Sequence, residues 1–321
     1  MKREARKIIR FGNSSFVVSL PREWVEKNKL EKGDLIYLTQ NDNGDLVIQP
    51  REKKQEKVDR EITISIEGKD ERSIKREIIS AYLNNFSTVK IVGNLQTKIE
   101  FIRKIIKNLM AMEIIRQSKG EIIAKVFLDT DTIKFEEITV RMDVMLKSIF
   151  QDIIEIFKKG ELSKEDVEEI TSRDDDIDGL FFLSHKILKE KLENPSSLKF
   201  SKLYDLFRLW HTNYNLEYVS DRMKEIADVL WRTGLYKDKK AREKVCALLQ
   251  EIEEVYVQIM KARYFNDVNS ALQLAKRKHE IIEKIDSLLS KYWNKRGVPE
   301  ICEKLKSMIK GVHAICRRIY S

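Results

Sequence analysis

The chain has 321 residues, which is enough for two or three domains, and 35% of them are charged. Eleven glycines and four prolines are few for this length and favour long helices with charged surfaces. The formal net charge of +9 favours an acidic partner, which could be nucleic acid, an acidic protein or an anionic membrane face. No apolar run approaches the length of a membrane span, and the three cysteines lack the spacing of a zinc or redox motif.

The first fifty residues predict a small module of two hairpins with a short helix between them. Val17 and Val18 belong to an apolar β-branched run, and Pro21 suits the first position of a helix. Residues 35–38 and 46–48 are predicted to pair across an Asn/Gly loop. So small a module cannot enclose a hydrophobic core, and we therefore expect it to dimerise.

A basic run begins this module. Five basic residues accompany one acid, Glu4, within residues 2–10: Lys2, Arg3, Arg6, Lys7 and Arg10. Such a run is typical of an arm that contacts nucleic-acid phosphates, and also of a solvated terminal strand. Charge alone leaves both interpretations open.

Residues 5–50 resemble the SpoVT/AbrB swapped-hairpin family. The matching motifs are Gly12-Asn13-Ser14, Leu20-Pro21-Arg22-Glu23-Trp24 and Lys32-Gly33-Asp34, at the spacing of that family. The resemblance implies that two chains interleave their hairpins into one β-barrel with a DNA-binding basic face. It implies that four residues face DNA: Arg3, Arg6, Arg10 and Arg22. Arg22 equally fits the exposed surface of a helix.

A charged linker over residues 51–60 leads to a segment with a different pattern of apolar and polar residues. Alternating isoleucines at Ile62, Ile64 and Ile66 predict a half-buried strand. The following periodicities complete the order β-α-β-α-β-β, which is typical of a small α/β domain. We predict this domain over residues 56–134, between a hairpin domain at 1–55 and a helical domain at 135–321. Its role as a spacer, a dimerisation domain or a ligand sensor stays open.

The remainder of the chain is predicted to be helical. Breaks at glycine and proline positions separate six helices, which form two sets of three and suggest a duplicated three-helix bundle. The predicted spans are 135–159, 163–192, 200–234, 240–266, 269–294 and 299–320. Six aromatic residues at helical intervals are predicted to be core: Phe181, Phe182, Phe207, Trp210, Tyr214 and Tyr218.

Two acidic helix faces stand out in the first set. Asp174 and Asp178 are four residues apart on the second helix, and Glu217 and Asp221 are four apart on the third. Like charges at this spacing repel each other on a helix, so something positive should offset the cost. If the faces meet, their oxygens could hold a metal ion. A solvated acidic face beside lysines is the alternative.

Residues 135–321 resemble the PhoU family, whose fold is two three-helix bundles side by side. The stretch Leu216-Glu217-Tyr218-Val219-Ser220-Asp221 keeps the acidic spacing of the family's metal motif but lacks its arginine and glycine. The resemblance implies four ligands of an iron-type or zinc-type cluster: Asp174, Asp178, Glu217 and Asp221. In the second set Lys306 and Lys310 stand where the carboxylates belong, which implies that no metal binds there.

The sequence predicts no enzyme, because its four histidines lie on four different helices and no catalytic spacing is present. The charged start of the chain predicts no signal peptide, and we expect a cytoplasmic protein. The resemblances imply a homodimeric, DNA-binding regulator of phosphate uptake. One alternative is a scaffold that docks on a phosphate transporter ATPase or a sensor kinase without touching DNA. Another is an antitoxin-like binding module with a helical appendage.

Overall fold

The computed structural model describes residues 4–13, 15–40, 44–50, 59–128, 133–193 and 200–321. The chain divides into two compact units, residues 1–58 and residues 59–321. The predicted linker over residues 51–60 lies mostly outside the described residues.

The N-terminal unit consists of two hairpins with a short helix between them in sequence. Strands β1 (Ile9–Phe11) and β2 (Ser15–Val17) pair antiparallel, as do β3 (Tyr37–Gln40) and β4 (Leu46–Gln49), with helix α1 (Arg22–Lys27) between the pairs. The described strands of this unit form two separate two-stranded sheets, and the barrel that requires two interleaved chains stays a prediction.

The second unit begins with a four-stranded sheet in the order β5-β6-β8-β7, in which β5 and β6 are parallel and the other neighbours antiparallel. The predicted order β-α-β-α-β-β is observed. Its elements are β5 (Glu61–Ser65), α2 (Glu71–Leu83), β6 (Thr88–Val92), α3 (Ile99–Asn108), β7 (Met112–Gln117) and β8 (Glu121–Val126). Buried isoleucines of the sheet and of both helices, among them Ile64, Ile74, Ile91 and Ile102, form one hydrophobic core.

Helices make up the rest of this unit and share a second continuous hydrophobic core. They are α4 (Phe135–Lys159), α5 (Lys164–Glu193), α6 (Phe200–Thr233), α7 (Lys239–Tyr264), α8 (Val268–Leu274), α9 (Arg277–Tyr292) and α10 (Val298–Tyr320). We refer to helices α4–α6 as the first bundle and to helices α7–α10 as the second bundle. The prediction of one helix over residues 269–294 is wrong, because α8 and α9 are separate. Every helix in the described ranges is too short or too polar to cross a bilayer.

The α/β segment packs closely against α5. Gly179 permits this approach, because a Cβ at that position would lie 2.4 Å from the carbonyl oxygen of Asn108 at the end of α3. Lys186 on α5 donates to the carbonyl of Tyr82 at 3.1 Å and to Oδ1 of Asn85 at 2.9 Å. The α/β segment and the helices that follow it belong to one compact unit but have separate hydrophobic cores, and the predicted domain boundary at residue 134 stays a prediction.

Candidate functional site

The two acidic helix faces meet in the first bundle. Asp174 and Asp178 lie one turn apart on α5, and Asp221 faces them from α6. Each of the three offers a carboxylate oxygen, and these oxygens lie within 4.8 Å of one another. Asp174 is fully buried, whereas Asp178 and Asp221 are half-buried. The structure therefore brings together three of the four predicted ligands.

The ammonium of Lys224 lies among these carboxylates. It forms a short hydrogen bond to Asp174 and a second bond of 3.1 Å to Oδ1 of Asp221. The hydroxyl of Ser220 donates to the other oxygen of Asp174 at 2.7 Å. Because Lys224 is three residues after Asp221, it points to the same side of α6. The spacing from Asp221 to Lys224 is visible in the sequence, but the prediction from the sequence does not identify Lys224 as the residue that supplies the offsetting charge.

Glu217 lies beside the three aspartates. Burial raises the pKa of its carboxyl to about 8, and the charges of Asp221, Asp178 and Asp174 contribute to the increase. Burial likewise raises the pKa of Asp178 to about 7, with the charge of Asp174 next in importance. Both carboxyls therefore keep their protons to a higher pH than an exposed carboxyl does.

The charge of Lys224 itself is stabilised here. Burial would lower the pKa of its ammonium, but the hydrogen bond and the charge of Asp174 more than compensate, so the pKa is raised. For Asp174, burial raises the pKa of the carboxyl, and Lys224 opposes that rise. Lys224 and Asp174 thus form a largely buried ion pair.

The α/β segment adjoins one side of the acidic cluster. The ammonium of Lys104 on α3 lies 3.1 Å from Oδ2 of Asp175. Asp178 lines a cleft of about 180 Å³ together with Lys75 of α2 and Phe182 of α5. The acidic residues are therefore next to the contact between α5 and the α/β segment.

These residues fit an oxygen-ligated cation in their donor type and in the separation of their oxygens. Among the described residues, no hydrogen bond or ion pair joins Asp178 or Glu217 to a lysine, and burial is the main cause of the raised pKa of both carboxyls. Lys224, in contrast, already bonds to two of the three aspartates that an ion would use. An ion at this cluster must compete with the lysine.

The PhoU resemblance matches Lys306 and Lys310 of the second bundle to Glu217 and Asp221 of the first bundle. Lys306 on α10 forms a short ion pair with Asp286 on α9. Lys310, one turn later on α10, is exposed. Both lysines add positive charge where the first bundle has Glu217 and Asp221.

The described basic residues of the N-terminal unit are on its surface. Arg22 is highly exposed and pairs with Glu26 at 2.7 Å along α1. Arg6 pairs with Glu4 at 3.0 Å, and Arg10 is exposed on β1. Arg3 lies outside the described residues.

Apolar side chains of the N-terminal unit are also exposed. No residue of this unit that the structure describes is buried. The exposed apolar residues are Ile8, Ile9, Phe11, Phe16, Val17, Val18, Leu35, Tyr37, Leu38, Leu46 and Val47. A module whose strands expose their apolar side chains needs another surface to cover them.

An aromatic cluster connects α5 and α6. The ring of Trp210 lies 6.4 Å from Phe181 and 6.0 Å from both Phe207 and Tyr214. Phe207 is 41% exposed and Tyr214 is 45% exposed. The prediction that all six aromatic residues are core is therefore wrong for these two, because they are at the outer edge of the cluster.

Two family models match parts of the chain. Residues 9–56 match the model described as "Antidote-toxin recognition MazE, bacterial antitoxin", which agrees with the predicted AbrB-like domain. Residues 139–230 match the PhoU domain, and this range includes all four predicted metal ligands. No curated protein and no solved structure matches the chain.

Proposed function

We propose that this chain, which joins a MazE/AbrB-like domain to a PhoU domain, is a dimeric DNA-binding regulator of phosphate uptake. The observation that supports it best is the union of these two domains in one chain. A PhoU domain supports a phosphate-related role, and the N-terminal domain supplies basic residues and uncovered strands.

Dimerisation through the N-terminal unit follows from its exposed strands. Leu38 is 58% exposed and pairs across its hairpin with Ile48, and Ile9 of the other hairpin is 61% exposed. Interleaving two copies would cover these side chains and remove the free edges of both two-stranded sheets. We propose that the closed barrel forms in this way from two chains.

DNA binding is proposed to depend on Arg3, Arg6, Arg10 and Arg22. Each lost phosphate contact should reduce the slope of log affinity against log salt by about 0.9. We expect the Arg6→Ala, Arg10→Ala double variant to bind DNA more weakly and with a flatter salt dependence. Fluorescence anisotropy over a series of salt concentrations measures both quantities.

The matched control is Arg141→Ala, an exposed arginine of α4 outside the N-terminal unit. Arg141→Ala removes one positive charge, as each substitution of the double variant does, and it should leave the salt slope unchanged. If the intact chain retains no DNA at low salt, the DNA-binding proposal is wrong. Equal slopes for the double variant and the intact chain would instead reject the assignment of these arginines.

We further propose that Asp174, Asp178, Glu217 and Asp221 hold a metal ion of the iron or zinc type in competition with Lys224. The support is the convergence of the three aspartate oxygens, which lie within 4.8 Å of one another. Such an ion would supply positive charge that joins α5 to α6. Elemental analysis should find metal in the purified chain and not in the Glu217→Ala, Asp221→Ala variant. The Glu283→Ala, Asp286→Ala variant of α9 is the control.

A scaffold that docks on a phosphate transporter ATPase or a sensor kinase is the second proposal. The exposed edge of the aromatic cluster favours it, because Tyr and Trp are enriched at protein interfaces. On this proposal the intact chain retains no DNA, and Phe207→Ala with Tyr214→Ala should abolish capture of such a partner. An antitoxin-like module, which the description of the N-terminal match favours, requires instead a small toxin that co-purifies with the chain.

A further inference from the structure

Three arginines from three different helices line one groove at the end of the bundles. The groove has a volume of about 300 Å³ and lies where α7 and α10 end, beside the first half of α6. Its arginines are Arg208 of α6, Arg263 of α7 and Arg318 of α10.

These guanidinium groups have few protein acceptors. Nε and Nη2 of Arg208 donate to the carbonyl oxygen of Arg318 at 3.1 and 2.6 Å. Nε of Arg263 donates to the hydroxyl of Thr212 at 3.1 Å. The hydrogen bonds and ion pairs among the described residues leave the remaining donors of Arg208, Arg263 and Arg318 without a protein acceptor. Each guanidinium has five N–H donors, so most of the donors in the groove are free.

Nearby carboxylates do not supply the missing acceptors. Asp143 accepts hydrogen bonds from Tyr256 at 2.6 Å and Tyr264 at 2.9 Å, and it forms an ion pair with Lys147. Glu136 and Asp205 line the groove but are exposed, and no ion pair of the described residues joins them to the three arginines. Burial lowers the pKa of Arg263, and the charge of Arg208 adds to that decrease.

Helix ends account for part of this arrangement. Arg263 and Arg318 lie in the last turns of α7 and α10, where the helix dipole favours cations. Of the three arginines, however, only Arg208 has a hydrogen bond to a helix carbonyl among the described residues. The dipole therefore explains why cations are tolerated here, but not why three guanidinium groups share one solvent-filled groove.

We propose that this groove binds a small oxyanion of the phosphate class through Arg208, Arg263 and Arg318. Guanidinium groups match the oxygens of phosphate in pairs and form strong charge-assisted hydrogen bonds with them. Thr212 and Asn266 also line the groove and provide neutral polar groups. Exposed Glu136 and Asp205 disfavour an extended polyanion such as nucleic acid, so the groove suits a small anion. The inference does not depend on whether the N-terminal unit binds DNA.

Calorimetric titration of the full chain with inorganic phosphate and with glycerol 3-phosphate tests this proposal. We expect saturable binding at physiological salt, at least tenfold weaker in Arg263→Gln and in Arg318→Gln. Exposed Arg317, the neighbour of Arg318, does not line the groove, and Arg317→Gln is the matched control with the same change in charge. Tighter binding of inorganic phosphate would show that the groove prefers the free anion, and tighter binding of glycerol 3-phosphate would show that it prefers a phosphate ester.

Circular dichroism verifies that each variant folds. If Arg263→Gln fails to fold, Arg318→Gln alone decides the outcome. Absence of binding to the intact chain overturns the proposal, as does equal weakening in Arg317→Gln and Arg318→Gln. The second result would show a general attraction to positive charge and not a defined site.

Discussion

Lys224 is the residue on which the acidic cluster depends. Asp174 is fully buried and bonds to Lys224, so a neutral substitution at 224 leaves a buried carboxylate without a cation. Removing one partner of a fully buried ion pair costs about 3–5 kcal/mol. Because Lys224 itself is partly exposed, we expect Lys224→Met to lower the free energy of unfolding by about 2–3 kcal/mol in urea denaturation.

Lys306→Met is the matched control for this prediction. Lys306 pairs with Asp286, whose side chain is 54% exposed, so the loss should be at most about 1 kcal/mol. If the cluster accepts a metal ion, added Mn²⁺ should restore part of the stability of Lys224→Met and none of that of Lys306→Met. Equal losses in the two variants would contradict the importance of the Lys224 pair.

Glu217 should make the protein less stable as the pH rises. Its pKa is about 8 in the folded chain against a usual value of 4.5, so the folded state binds its proton more tightly than the unfolded state. The free energy of unfolding should therefore fall between about pH 4.5 and pH 8 and level off above it. In EDTA, Glu217→Gln should gain about 2 kcal/mol relative to the intact chain at pH 8 and little at pH 4.

Urea denaturation at several pH values measures this dependence. The control is Glu283→Gln, which removes an exposed carboxylate of α9. Its pH profile should follow that of the intact chain. A Glu217→Gln profile that is parallel to the intact one would show that the carboxyl of Glu217 is not destabilised by its surroundings.

At the scale of elements, the contact between α3 and α5 depends on the absence of a side chain at Gly179. A methyl group there would overlap the backbone carbonyl of Asn108, at 2.4 Å, and a backbone atom cannot rotate away. Alanine is more favourable than glycine in a helix by about 1 kcal/mol, whereas the forced shift of α5 away from α3 costs about 1–3 kcal/mol. We expect Gly179→Ala to destabilise the chain by about 1–2 kcal/mol in urea denaturation.

Gly120→Ala is the control for available space. A Cβ at Gly120 would come no closer than 3.9 Å to another atom, and its φ is not in the left-handed region. The substitution should change the free energy of unfolding by less than about 0.5 kcal/mol. If Gly179→Ala is equally neutral, α5 and α3 can separate without cost.

The sequence predicts the elements well where the signal is local and less well where tertiary contacts decide. Gly160, with its left-handed conformation, ends α4 where the prediction places the break. The break between α8 and α9 has no glycine or proline, and Ala275 and Lys276 keep helical dihedral angles. The thiol of Cys316 on α10 contacts the carbonyl of Ala271 there at 3.1 Å. Helical periodicity cannot reveal such a contact from a distant helix.

The same distinction applies to the candidate site. Spacing on α5 and α6, together with the PhoU resemblance, predicts the acidic residues that the structure brings together. The arginine groove is assembled from α6, α7 and α10 and has no motif, because each arginine looks like an ordinary surface residue in its own helix. Only the packing of three helices shows that Arg208, Arg263 and Arg318 share one groove.

For the whole molecule, the decisive property is that its two units differ in how well they cover their apolar side chains. The C-terminal unit has two buried cores, whereas the described N-terminal unit has no buried residue. Transfer of apolar surface out of water stabilises association by about 25 cal/mol per Å². A second copy has the same uncovered strands and is therefore a suitable partner for them.

We expect the full chain to be a dimer that Leu38→Glu converts to a monomer. Leu38 is 58% exposed in the single chain, so a charge there is harmless to the monomer but costly once a second copy covers it. Light scattering should give twice the mass of one chain for the intact protein and the mass of one chain for Leu38→Glu. The control is Phe265→Glu, since Phe265 follows α7 and is 76% exposed, and this variant should stay dimeric. A dimer that survives Leu38→Glu but not Phe265→Glu would place the interface in the C-terminal unit. In that event the exposed strands would not be the basis of assembly.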